Sequence, residues 1–381
     1  MRVLIDYRPA LRSRSGVGEY VHQLVTALVS QFSPDTPHAP LDLTLFSSSW
    51  KDRLHVAPEL DGARAVDRRI PVSVLNFAWH RLGWPPAEAL ITTPIDVTHS
   101  LHPLLMPARA AARVITIHDL NFLAHPERTR AEIRRDYPVL VREHAHSADA
   151  VVVPSRFTAA EVERQLDVPA ERITVCSPGA PDWDARGPAP GAGYVLFLGT
   201  LEPRKNVGTL LDAYERLVSQ PIDRRRPIPE LVLAGQKTPE SQGWLERIGR
   251  PPLAGRVRHV GYIDPANRRA LYEGARLLVQ PSFEEGFGIP VLEAMAAGVP
   301  VVAANRGALP EVLGDAGVLV DARDPVGMAA AIARVLDDDG FASACAAKGV
   351  QRARQFKWRE TAARVYDVYR RAIEHRTRTA P

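Results

Sequence analysis

Within EEGFGIPVLEAMAAGVP, residues 284–300, Glu285 and Glu293 stand with seven residues between them. The first precedes a Gly-Phe-Gly turn and the second lies early in a short helical stretch. Glycines of this kind let backbone come close to a ligand, which makes Glu285, Gly286, Phe287 and Gly288 candidates for a binding loop. An exposed loop glutamate is also ordinary, and an acid in a first helical turn is favoured by the macrodipole, so a structural reading of both glutamates stays open. Upstream, GTLEPRKN at 199–206 sets Arg204 and Lys205 side by side. Adjacent cations suit a diphosphate: a planar guanidinium fork and a compact ammonium charge together neutralise a leaving phosphate in place of a metal. A solvated surface pair is the alternative. RSRSGVGEY carries Gly16 and Gly18 where a strand passes into a helix, a turn that aims helix amides at an anion or is merely tight. Val21 occupies the place of a dinucleotide fingerprint's third glycine, and the lysine and hydroxyl residue of a P-loop are missing, which argues against NAD and against nucleoside triphosphate hydrolysis. His118, in ITIHDL, has Asp119 beside it as a group to orient its ring, although most lone histidines are structural.

These side chains need a scaffold that delivers them to one edge. ARLLVQPS, from 275, reads as a buried strand ending at Pro281. Pro290 suits a first helical position, VLEAMAA is rich in helix formers, and Gly298 stops the helix before VPVVAA resumes as a strand. In a parallel sheet built of such units, ligands gather outside the carboxyl ends of the strands, where the 285–288 loop, Arg204, Lys205 and His118 all fall. The same alternation fills the chain. RVLIDY, LDLTLFSS, DVTHS, RVITIHDL and ADAVVVPS outline a first α/β domain over 1–180, and proline and glycine then concentrate in a linker at 181–193. The pattern restarts with YVLFLGT, ELVLAG, RVRHVGY and LLVQPS in a second α/β domain over 194–355. Over 356–381, Trp358, Val365, Tyr369 and Ile373 recur at helical spacing, the mark of a C-terminal amphipathic helix packing on the domains. The expectation is two α/β domains about a hinge, with a small ligand in the cleft between them.

Composition narrows the function classes. With 45% hydrophobic and 24% charged residues in a chain of 381, an ordinary globular protein of about two domains is expected. No apolar run approaches the roughly 20 residues of a membrane span, and MRVLIDYRPA reads as a first strand rather than a signal peptide. Cys176 and Cys345 form neither a disulfide framework nor a metal spacing, so a cytoplasmic setting is expected. The net charge of +4 is small and the arginines are scattered, which argues against nucleic acid. The exception is RTRAEIRRDYPVLVREH at 128–144, read either as a solvated helix face or as a contact for an anionic membrane at its inner face. His99 with His102 and His144 with His146 match metal spacing only loosely, and no metal or cofactor is expected.

EEGFGIPVLEAMAAGVPVV, GTLEPRKN and the glycine turn at Gly16 together resemble a retaining glycosyltransferase of the GT-B group, family 4, across nearly the whole chain. The resemblance implies two Rossmann-like, doubly wound domains facing a central cleft, the nucleotide sugar donor on the carboxyl-terminal one and the acceptor on the amino-terminal one. It implies Glu293 on the ribose hydroxyls, Glu285 beside the donor sugar, and the amides around Phe287 and Gly288 completing the sugar contacts. Arg204 and Lys205 would hold the diphosphate, Gly16 and Gly18 would approach it from the opposite domain, and His118 would lie near the reacting sugar. The chemistry agrees, since an ionised carboxylate only accepts hydrogen bonds and can take both hydroxyls of a vicinal diol. GVGEY, ITIHDL and VVVPSRFTAAEV are similar to bacterial mannosyl- and rhamnosyltransferases of surface polysaccharide assembly. That similarity implies transfer of a hexose, mannose from GDP-mannose, to a hydroxyl acceptor such as a lipid-linked saccharide. Pro178 stands where family members often have asparagine, so SPGAP is assigned no role. A sugar-nucleotide epimerase or hydrolase, and a nonenzymatic nucleotide-sugar-binding protein, are the alternatives.

Overall fold

The apolar runs form parallel strands of two sheets in this computed structural model, which describes residues 1–381 apart from 12–13, 15, 33–39, 51, 127–130, 220–226 and 380–381, and leaves aside the side chains of 131–136 and 379. Met1–Gly179 with Lys357–Pro381 makes one compact unit, and Ala180–Phe356 makes the other.

In the first unit the strands are β1 (Arg2–Asp6), β2 (Asp42–Ser48), β3 (Arg64–Arg68), β4 (Val97–Ser100), β5 (Ala112–Thr116), β6 (Ala150–Val153) and β7 (Ile173–Val175). They pair in the order β3-β2-β1-β4-β5-β6-β7. The second unit holds β8 (Tyr194–Leu198), β9 (Leu231–Ala234), β10 (Val257–Gly261), β11 (Ala275–Gln280), β12 (Val301–Ala304) and β13 (Val318–Val320), ordered β10-β9-β8-β11-β12-β13. Every pairing is parallel. Both sheets are therefore doubly wound, and strand order reverses between β1 and β4 and between β8 and β11. β3, β7 and β13 lie at sheet edges and are only partly covered; β3 reads RAVDR with no apolar run, while β7 and β13 are only three residues long.

The proline- and glycine-rich 181–193 stretch belongs to the second unit. Arg186 ties it there, donating from Nε to the Gly298 carbonyl at 3.3 Å and from Nη1 to the Glu273 carbonyl at 3.1 Å. The C-terminal helix, Trp358–Thr379, packs in the first unit along the Val17–Phe32 helix. Its buried stripe runs through Ala362, Val365, Tyr369 and Ala372, while Tyr366 stacks on Phe32 at 4.5 Å between centroids. Among the described residues no helix is long and apolar enough to cross a membrane. The arginine-rich 128–144 segment is helical over Ala131–Ser147 with Pro138 inside, but the side chains of its first arginines lie outside the described residues.

Candidate functional site

At the carboxyl edge of the second sheet, neighbouring strands send the chain to opposite faces. After β8 it passes through 199–206 into the Val207–Ser219 helix, whose Leu210, Leu211 and Tyr214 pack with Phe197 and Val279. After β11 it passes through 281–288 into the Ile289–Ala296 helix, whose Val291, Leu292 and Met295 pack with Leu196 and Leu278. Successive strand residues alternate in direction, so these are the two sheet faces. Because β8 and β11 are adjacent, a crevice opens between their departing loops. The loops are tied across it: Asn206 Nδ2 donates to the carbonyls of Pro281 and Ala322 at 2.9 and 2.7 Å, and the Phe283 N–H donates to the Arg204 carbonyl at 2.8 Å.

Glu285 sits at this junction and is buried. Its Oε1 accepts from Lys205 Nζ at 2.6 Å, Ser282 Oγ at 2.8 Å and Gln280 Nε2 at 2.9 Å. Arg204 approaches Oε2 with Nη1 at 3.5 Å and places its Nε 2.7 Å from Glu202. Burial acts to raise the carboxyl pKa, but the Lys205 charge, then Arg204, outweighs it and holds Glu285 at about 2. The group is thus an ionised, acceptor-only carboxylate with one oxygen crowded and the other more open. On its backbone side Gly307 closes in at φ +58, where an added Cβ would stand 2.7 Å from the Glu285 nitrogen and oxygen. The Ala308 N–H donates to the Glu285 carbonyl at 2.9 Å.

Glu293 differs from its reading as a first-turn acid. The helix begins at Ile289 and has no acid in its first turn, so Glu293 stands one turn further in, where the macrodipole acts weakly. Its carboxylate is held by side chains instead: Oε1 accepts from Arg268 Nη1 at 2.6 Å and Oε2 from Tyr272 OH at 2.8 Å. Arg268 and Tyr272 lie one turn apart on the Pro265–Glu273 helix, and all three side chains are buried. Phe287 turns its ring into the core against Phe356, 5.7 Å between centroids, so it can offer the crevice only its backbone. Gly288 is the N-cap of the helix.

Four of the expected residues, Arg204, Lys205, Glu285 and Glu293, thus belong to one unit, and the first three are in mutual contact. Sequence reasoning missed the residues that hold them: Gln280, Ser282, Asn206, Arg268, Tyr272 and Gly307. Gln280 did leave a trace, as a polar residue inside the apolar run LLVQPS, since buried polar groups are the informative exceptions.

Gly16, Gly18 and His118 lie in the first unit. The Val17–Phe32 helix starts directly after Gly16, which has φ +52, and takes in Gly18. His118 donates from Nε2 to the Leu101 carbonyl at 3.2 Å and meets the Tyr20 ring edge-on at 4.9 Å. Asp119, expected to orient it, instead accepts the Asn121 N–H at 3.2 Å. Burial pushes the His118 imidazole down to about 4, so it is neutral at ordinary pH. The paired histidines go to separate partners: His99 lies between Tyr369 and Thr116 at 2.8 Å each, and His144 Nδ1 accepts the Leu105 N–H at 2.9 Å. His102 Nε2 meets Asp6 at 3.0 Å. Asp6 also takes a bidentate pair from Arg8, with Nε at 2.8 Å and Nη2 at 2.6 Å, giving the first sheet a polar cluster at its own β1/β4 reversal.

Residues 14–182 match the family described as Glycosyltransferase Family 4, and residues 192–338 match Glycosyl transferases group 1. The chain is 35% identical to O-antigen chain mannosyltransferase B of Escherichia coli, over 97% of this chain and 100% of that protein. Among solved structures, sucrose-phosphate synthase from Thermosynechococcus elongatus superposes with a TM-score of 0.75 at 22% identity, covering 97% of this chain and 98% of the other. WaaG, a glycosyltransferase involved in lipopolysaccharide biosynthesis, superposes with a TM-score of 0.71 at 15% identity, covering 97% and 99%.

Proposed function

Because the chain belongs to glycosyltransferase family 4 and has the GT-B fold, we propose that it moves a hexose from a nucleoside diphosphate sugar to a hydroxyl of a saccharide acceptor, with the anomeric configuration kept. The donor we assign is GDP-mannose and the acceptor a lipid-linked saccharide of surface polysaccharide assembly, in keeping with the mannosyltransferase relative. The work would be done at the inner face of the membrane.

One observation carries this reading: two cations and an ionised carboxylate converge at the β8/β11 reversal, with Lys205 and Arg204 on the two oxygens of Glu285. The diphosphate would lie on Arg204 and Lys205. As the bond from the anomeric carbon to the phosphate oxygen breaks, the two cations compensate the charge gathering on the leaving group. The acceptor oxygen bonds to the anomeric carbon on the face the phosphate is leaving, and its proton passes to a departing phosphate oxygen. That path needs no protein nucleophile and asks no metal of the protein. Glu285 would accept from donor sugar hydroxyls through its more open oxygen, with the amides of Gly286, Phe287 and Gly288 beside it. Glu293 would accept from the ribose diol, its carboxylate set in place by Arg268 and Tyr272. Gly16, Gly18 and His118 are assigned to the same reaction through the family resemblance, and a neutral His118 suits a hydrogen bond better than a charge.

The test is product formation by mass detection, with UDP-, GDP-, ADP- and dTDP-sugars offered one at a time, with and without a saccharide acceptor and with a chelator present. A new glycosidic product with GDP-mannose, acceptor-dependent and chelator-resistant, is expected. Donor isomerisation or hydrolysis at the same rate without acceptor overturns the transferase chemistry.

A further inference from the structure

We propose that Gln280, with Ser282, is a positioning residue that fixes the Glu285 carboxylate and so sets which hexose epimer the site takes. The proposal rests on the reading of Glu285 as the acceptor of donor-sugar hydroxyls. Gln280 ends β11, Ser282 follows two residues later, and both are fully buried. Neither side chain can touch a ligand, so each acts only through what it holds. Both hold the same atom. Gln280 Nε2 donates to Glu285 Oε1 at 2.9 Å and Ser282 Oγ donates to it at 2.8 Å, while Gln280 Nε2 also lies 3.0 Å from Ser282 Oγ. With Lys205 Nζ at 2.6 Å, three donors crowd one oxygen. The other oxygen, Oε2, is approached by Arg204 Nη1 at 3.5 Å, longer than an ordinary hydrogen bond.

Gln280 is out of keeping with its surroundings. It follows Leu277, Leu278 and Val279, which have no accessible surface, and strand alternation puts it on the side of Leu278, which packs with the Ile289–Ala296 helix. There its amide is half satisfied: among the described residues, the shielded Oε1 finds no donor. Turning the amide over would bring that oxygen against the Glu285 carboxylate, so the negative charge keeps the nitrogen inward. A methionine of similar length would fill the same space with no carbonyl to bury. A strand that keeps a half-satisfied amide where an apolar chain would pack better gives up stability, and such departures mark functional positions. What the amide adds is orientation. Lys205 alone does not supply it, since an ammonium is a point charge on a flexible stem and follows the carboxylate as it turns. Gln280 and Ser282 reach Oε1 from the strand end and the turn after it, which fixes the carboxylate plane and gives the Oε2 lone pairs one direction. A fixed acceptor meets a hydroxyl at one configuration of a sugar carbon and misses it in the epimer, whereas a turning one follows either.

Calorimetric titration and transfer rates of the full chain test this, with GDP-mannose, its epimer GDP-glucose and GDP alone. For Gln280→Met the melting temperature should hold or rise, and GDP affinity should stay within about twofold of wild type. The preference for GDP-mannose over GDP-glucose, in Kd and in kcat/KM, should fall by about tenfold, and Ser282→Ala should lower it in the same direction. A structural role predicts instead that melting falls and all three ligands weaken together, which overturns the proposal. An epimer preference unchanged in both variants overturns it equally. A wild type that does not distinguish GDP-mannose from GDP-glucose overturns the donor reading of Glu285 and this role with it, an outcome seen before any variant is made.

Discussion

The Lys205 ammonium and the Glu285 carboxylate meet at 2.6 Å in a place where both side chains are largely shielded from water. Read from the sequence alone, Lys205 is a diphosphate-holding cation whose loss should cost far more in turnover than in folding. Burial changes that expectation, because Lys205→Ala leaves the Glu285 charge enclosed with Arg204 as its remaining cation at 3.5 Å. Breaking a buried pair from one side costs about 3–5 kcal/mol, so Lys205→Ala should lose both stability and transfer. Adding Glu285→Gln removes the stranded charge, and the double variant should recover much of the melting temperature while transfer stays down by about 100-fold or more. A single variant that melts like the wild type would show that the pair carries no such burden. Glu285 and Glu293 share one motif in the sequence, yet one is held mainly by a lysine and the other by an arginine and a tyrosine of another helix.

At the scale of elements, the crevice exists because the chain leaves β8 and β11 toward opposite sheet faces, and because the two loops are then sewn together. Gly307 is the tightest point of that seam. It adopts φ +58, and a Cβ there would meet the Glu285 backbone at 2.7 Å. Gly307→Ala should therefore destabilise the fold by about 1–3 kcal/mol and displace the loop carrying Glu285. Thermal melting together with nucleoside diphosphate titration checks this: both should weaken, and a variant with wild-type melting and affinity would mean the turn simply yields. The elements themselves were legible to different degrees. Most of the central strands, such as β8 and β11, announce themselves as apolar runs because both faces are covered, whereas the edge strand β3, RAVDR, does not.

For the molecule as a whole, the histidines concentrate acid sensitivity in the first unit. Burial pushes His80 and His99 down to about 3 and His118 and His144 to about 4. All four rings are neutral in the fold, while the unfolded chain protonates them near their ordinary value. Unfolding therefore takes up protons, and stability should fall as pH drops from about 6.5 through about 4. Glu285 acts in the same direction but lower on the pH scale: its contribution is complete above the usual carboxylate range and is lost as pH falls toward about 2. Melting temperature should decline from about pH 7 to about pH 4.5, with His99→Gln flattening the slope by roughly one proton; a flat profile would show these rings already protonated in the fold. By itself the sequence determined the α/β alternation, the restart of the pattern near residue 194, and the identity of Arg204, Lys205, Glu285 and Glu293 as residues worth watching. Those features are local, since periodicity, glycine turns and adjacent charges are written in consecutive residues. Only the tertiary structure decided which groups surround each carboxylate, because Lys205 and Glu285 are brought together by the adjacency of β8 and β11, and Arg268 and Glu293 by helix packing. Partners drawn from distant segments leave no spacing to read along the chain.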